Sequence, residues 1–197
     1  MKLFQSIPLT IGAGFVLAIL FILIMGPTGF NGLEIAVWAH VIVGITWIGL
    51  LYYFNLVQVP AVNEAASDGD PGPAAINKYV APRALFMFRW SAVLTWLTGA
   101  WALEKLHPGD GSGLVAAFTF SDGMANIGLG AWLGTIMLFN VWVLIWPNQK
   151  KVLGMVQASD DEKAQAKKVA LIASRTNTLL SIPMLMSMTM FAHGRPF

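Results

Sequence analysis

Residues 35–63 read IAVWAHVIVGITWIGLLYYFNLVQVPAVN, without a single Asp, Glu, Lys or Arg. About 20 apolar residues suffice to cross the hydrocarbon core of a bilayer, so this stretch can span one. His40 is its only histidine. An ionisable side chain at membrane depth is costly and generally faces a bundle interior, where it holds a cofactor or serves a proton or substrate path. One stretch therefore indicates a membrane protein and offers a candidate site.

Composition extends that reading to the whole chain. Of 197 residues, 56% are hydrophobic and only 11% charged, whereas soluble domains carry about 25% charged residues. The fold class expected is an all-α integral membrane bundle. A net charge of +2 gives no sign of nucleic-acid binding. The absence of Cys excludes disulfides, thiolate metal sites and iron–sulfur clusters. It also excludes a covalently attached c-type haem, which needs Cys-x-x-Cys-His.

Five spans are expected, at about residues 7–26, 33–59, 84–106, 125–146 and 176–192, forming one transmembrane domain over 1–197. Pro27 and Pro60 are expected to close the first two. The first run is longer than the 7–15 apolar residues of a signal peptide, and Met25-Gly26-Pro27 makes a poor cleavage site. With a cytoplasmic N-terminus, all of the 12 Lys and Arg fall inside except Lys105 and Arg195. The positive-inside rule then places the C-terminus outside, in a multi-pass protein of a bacterial inner membrane. Trp101 and Trp146 lie near expected helix ends, as interfacial belts prefer, while Trp47 and Trp96 lie mid-helix and are expected to pack inside. Ser159-Asp160-Asp161-Glu162 reads as a helix start capped by Ser159 or Asp160. The apolar piece 114–120 is too short to span and is expected to lie on the outer surface as a lid.

On the second helix, His40, Gly44, Trp47, Leu51, Asn55 and Gln58 share one stripe at helical spacing. Polar groups facing lipid are costly, so this stripe should point into the bundle. Gly44 removes bulk where a flat ligand could lie. His193 ends the fifth helix and His107 lies in the third loop; all three histidines fall toward the outer leaflet. A b-type haem with His40 and His193 as iron ligands, beside Gly44 and Trp47, is chemically sensible there. The bland readings are an interhelical hydrogen bond for His40, a solvated tail residue for His193 and a plain loop residue for His107. Asn55, Asn140 and Asn177 could line a polar pocket or simply glue helices together. Gly130 and Gly134 form a small-xxx-small pair, and Pro183 should kink the fifth helix. Met184, Met186, Met188 and Met190 alternate around a helix and read as gap fillers. Arg89 is a topology anchor that could also take an anionic head group.

Three stretches carry a resemblance: Trp38-Ala39-His40-Val41-Ile42-Val43-Gly44-Ile45-Thr46-Trp47-Ile48-Gly49, then 132–142 with Ile145-Trp146-Pro147-Asn148-Gln149-Lys150, and Ser174-Arg175-Thr176-Asn177-Thr178. They resemble the membrane domain of the bacterial membrane-bound urate hydroxylases, the urate oxidase N-terminal family. The resemblance implies oxidation of urate, or a related purine, to 5-hydroxyisourate, with electrons passed to a cytochrome. In that family a cytochrome c domain commonly follows the membrane domain. Here the acceptor is expected to be a separate periplasmic cytochrome c. The His40 helix is also similar to the haem-binding helix of small membrane protoporphyrinogen oxidases. The alternative is a non-catalytic subunit of a larger respiratory or photosynthetic membrane complex. A transporter fits less well, because the membrane interior offers no acidic residue to couple ions. The Lys/Arg asymmetry yields a first prediction. Reporter fusions will place the 61–82 loop in the cytoplasm and Phe197 outside; a cytoplasmic C-terminus would overturn the five-span topology.

Overall fold

The first apolar run forms α1 (Ile7–Met25), with Pro8 in its opening turn, where a missing N–H breaks no helical bond. The structure, a computed structural model, describes residues 2–26, 31–106, 111–121 and 123–194. The chain divides into two units, Met1–Gly32 and Leu33–Phe197. In the second unit, α2 (Gly32–Tyr53) does not end at Pro60 as the sequence suggested. It passes through a π-helical turn, Phe54–Gln58, into α3 (Val59–Asp68). There follow α4 (Ala81–Leu106), α5 (Gly113–Phe118), α6 (Ala125–Phe139), α7 (Trp146–Val152) and α8 (Asp160–His193). Every regular element among the described residues is helical.

The prolines explain why the helices outrun their expected ends. A proline inside an α-helix has no N–H to donate, and its ring clashes with the carbonyl four residues back. Pro60, Pro82 and Pro147 are each preceded by a π-helical turn: Phe54–Gln58, Ile76–Val80 and Asn140–Ile145. In each case the residue just before the proline donates its N–H five residues back, Val59 to Phe54, Ala81 to Ile76 and Trp146 to Val141. The wider turn carries the helix past the proline. The fourth expected helix therefore continues beyond Trp146 to Val152. The fifth begins at Asp160, well before residue 176, and runs on with Pro183 inside it.

Among the described residues, four helical runs are long and apolar enough to cross a membrane: Ile7–Met25, Gly32–Asp68, Ala125–Val152 and Asp160–His193. α4 is long enough at 26 residues, but it carries Arg83, Arg89, Glu104 and Lys105 and is not among the four. Large apolar side chains stand exposed on the outer faces, such as Leu179, Ile182 and Met186 at helical spacing on α8. Such faces suit lipid rather than water.

The core forms where α2, α4, α6 and α8 converge: Trp47 and Leu51, then Phe88 and Ala92, then Met137 and Val141, then Ala173 and Met184. Phe54 meets Phe88 edge-on, with ring centroids 5.5 Å apart. α8 presents Ala166, Ala170, Ala173, Asn177, Ser181 and Ser187, a buried stripe of mostly small residues that lets its neighbours approach closely. At its start Ser159 caps the helix: its hydroxyl accepts the Glu162 N–H, and the Glu162 carboxylate accepts the Ser159 N–H at 2.8 Å. Those bonds, with Lys151 nearby, hold the Glu162 carboxyl below its usual range.

The expected lid is α5. The Glu104 carboxylate accepts bonds from the Ser112 hydroxyl and the Leu114 N–H, which fixes the start of α5. The other side of α5 lies on α6, where a Cβ at Gly128 would collide with the Ala117 carbonyl. Trp132 adds an indole N–H bond to the Phe118 carbonyl at 3.0 Å. Gly128→Ala should therefore cost about 1–3 kcal/mol, as overpacking does. At Gly134 a Cβ would stand an ordinary 3.7 Å from Met184 Sδ, and Gly134→Ala should leave stability equal or higher. Thermal unfolding of the two variants in detergent checks this, and equal losses would refute the packing account.

Candidate functional site

His40 is seated on α4. Its Nδ1 lies 2.8 Å from the Thr95 carbonyl, with the Thr98 hydroxyl at 3.5 Å. A carbonyl only accepts, so Nδ1 is the donor here, and in the neutral ring Nε2 is the nitrogen with the lone pair. The ring rests on Gly99, where an added Cβ would fall 2.9 Å from His40 Cε1 and 3.0 Å from Nδ1. The ring is thus anchored through one nitrogen, which is how histidines that ligate metal through the other are commonly oriented. This donor chemistry fits a haem iron ligand.

The α2 stripe faces inward as expected: Trp47 and Leu51 are buried, and His40, Gly44, Asn55 and Gln58 half-buried. On this face Gly44 admits α4, since Thr95 Cγ2 stands 3.7 Å from where a Gly44 Cβ would be. Trp47 is 2% exposed and its indole N–H has no partner. His193 is exposed at the last residue of α8. α2 and α8 run antiparallel, joined by Tyr52 to Ser181 at 2.9 Å and by Asn55 to Ser174 at 2.8 Å. His40 precedes Tyr52 by as many residues as His193 follows Ser181. Both therefore lie about 18 Å along their helices from that contact, at one level. No hydrogen bond joins them. His107 lies outside the described residues.

The three asparagines separate into two groups. Asn140 donates to Asn177 Oδ1 at 2.8 Å, and Asn177 donates to the Met137 carbonyl at 3.0 Å, tying α8 to the α6 run. Asn55 donates to the Leu51 carbonyl and to Ser174, while its Oδ1 is buried without a partner, as is Gln58 Oε1. One helical turn apart, these two acceptors form a patch of unspent hydrogen-bonding capacity. Asn55 is about 22 Å along the helix from His40, so patch and imidazole are two sites. Among the described residues, no group of three or more His, Asp and Glu gathers to hold a metal ion.

A model of the family described as Urate oxidase N-terminal matches residues 112–194, which is fewer than half of the chain. The matched stretch covers α5 through α8 and includes the 132–150 and 174–178 motifs and His193; the His40 stretch precedes it. No curated protein and no solved structure matches the chain.

Thr95, Thr98 and Gly99 were not singled out from the sequence. The available signal was a glycine inside a helix, which costs about 1 kcal/mol relative to Ala and so asks for a packing reason. Selective 15N spectra of His40 should show a protonated Nδ1 and an unprotonated Nε2. Gly99→Val should disturb that pattern by displacing the ring; an unchanged spectrum would show that α4 does not fix it.

Proposed function

We propose that this chain is a redox protein of the bacterial inner membrane, oxidising urate or a related purine and passing the electrons to a separate cytochrome. The observation that carries the substrate is the urate oxidase N-terminal match over 112–194. Hydroxylating urate with oxygen from water releases two electrons and two protons, so an acceptor is required. A haem b, when bound, would supply that one-electron relay. His40 would hold its iron through Nε2, with the Thr95 carbonyl fixing the imidazole. His193, at the same level on α8, is the candidate second ligand.

The same reading includes α4 as a fifth span, with the N-terminus inside and the C-terminus outside. The Lys/Arg asymmetry supports that orientation. The charges of α4 lie toward its ends, apart from Arg89, which is stacked on Trp146.

The test is a reduced-minus-oxidised spectrum of the purified protein, together with loss of urate absorbance in membranes given a periplasmic cytochrome or an artificial acceptor. A Soret band should be present and should disappear in His40→Ala, along with urate oxidation. A colourless protein prepared with ample haem would sink the cofactor assignment. Urate that persists beside a haem spectrum would sink the substrate assignment. Comigration with a larger complex on a native gel would then favour a non-catalytic subunit.

A further inference from the structure

The end of the bundle where α4 begins carries a cationic feature that the redox reading does not use. The Arg89 guanidinium carbon stands 3.4 Å from the centroid of the Trp146 ring and 5.9 Å from that of Trp142. Lys150 Nζ lies 5.6 Å from the same Trp146 ring. Arg89 has no hydrogen bond or ion pair among the described residues, and its buried Nε has no acceptor. Trp142 Nε1 is likewise buried without a partner. Stacking on an indole face offsets part of the cost of a cation there, but it leaves the N–H edge of the guanidinium unspent. Two cations share one indole, which gathers positive charge suited to an anion.

One turn further along the same two helices, the surface becomes an apolar groove of about 400 Å³, lined by Val93, Trp96, Thr135, Leu138, Phe139 and Trp142. Two of the polar groups of this groove are used, since the Trp96 N–H is bonded to Thr135 Oγ1 at 2.9 Å and Thr135 donates to the Ala131 carbonyl; the Trp142 N–H is not. Trp142 belongs to both the groove and the cationic end. The helices run antiparallel, with Trp96 against Thr135, Trp90 against Trp142 and Arg89 against Trp146. The result is one continuous track, cationic at one end and apolar along the rest. Phe139 and, beside Trp96, Leu97 stand exposed on the same outward surface, so the track opens sideways.

We propose that this track binds an anionic phospholipid, with its phosphate at Arg89 and Lys150 and one acyl chain along the Val93–Trp142 groove. A free anion would use only the cationic end, and a neutral lipid only the groove; the continuity of the two selects a molecule having both parts. Basic pockets between membrane helices are suited to such head groups. The site is independent of haem and of urate.

The experiment is native mass spectrometry and thermal unfolding of the detergent-purified full chain with phosphatidylglycerol, phosphatidylcholine or inorganic phosphate. Phosphatidylglycerol should be retained and should raise the unfolding temperature; the other two should not. Arg89→Gln should weaken phosphatidylglycerol binding at least about fivefold, as expected for one basic residue at a lipid surface. If Arg89→Gln fails to fold, Lys150→Gln on the half-exposed α7 gives the same comparison, and Val93→Trp should block chain entry. Equal stabilisation by phosphatidylcholine would overturn the proposal. So would equal stabilisation by inorganic phosphate, or wild-type lipid retention in the variants.

Discussion

Backbone pairing is the constraint on which this bundle rests. Where lipid replaces water, each N–H and C=O must be satisfied within the protein. Helices meet that demand until a proline interrupts them, and three prolines fall at helix junctions here. The π-helical turns before Pro60, Pro82 and Pro147 move the last donated bond to the residue ahead of each ring. Hydroxyl side chains are satisfied in the same economy: Thr95 bonds the Ser91 carbonyl at 2.7 Å and Ser187 the Met184 carbonyl at 2.8 Å, each within its own helix. Polar residues can therefore sit inside without charge, and the bonds that remain, such as Asn140 to Asn177, become contacts between helices.

This division explains what was legible in the sequence. The long apolar runs, the inward stripe of α2 and the Ser159 cap followed from periodicity and composition, which are local. The ends at Pro60 and near Pro147 did not, because the rule that proline stops a helix assumes α-register throughout. The sequence implied that Asn140 needed an interhelical partner. That the partner is Asn177 depends on the register of α6 against α8, set by Gly130, where an added Cβ would fall 2.7 Å from Ser187 Oγ. The seat of His40 on Thr95 and Gly99 was hidden for the same reason: both ends of that contact look ordinary until two helices are placed side by side.

Close approach carries much of the cohesion. Lipid tails are as apolar as the helix faces, so association in a membrane draws on van der Waals contact and hydrogen bonds. Glycines supply the contact at Gly99 and Gly130. The hydrogen bonds come from Tyr52, Asn55, Trp96 and the Asn140–Asn177 pair. The urate oxidase N-terminal match covers α5 through α8, including the packed faces of α6 and α8. His40 precedes the matched stretch and reaches the bundle through α4.

α4 is thus the element through which the features of the molecule meet. It carries Arg89 along its length, and it touches α2 through His40, the π-helical turn after α2 through Phe88, α6 through Trp96, and α7 through Arg89. Arg89 precedes Thr95 by fewer than two turns, about 9 Å along one rigid helix. Whatever steadies Arg89 against Trp146 also steadies the carbonyl that orients the imidazole. α4 is held in place by the contacts its polar residues make, and those contacts fix the position of the one histidine in the charge-free run.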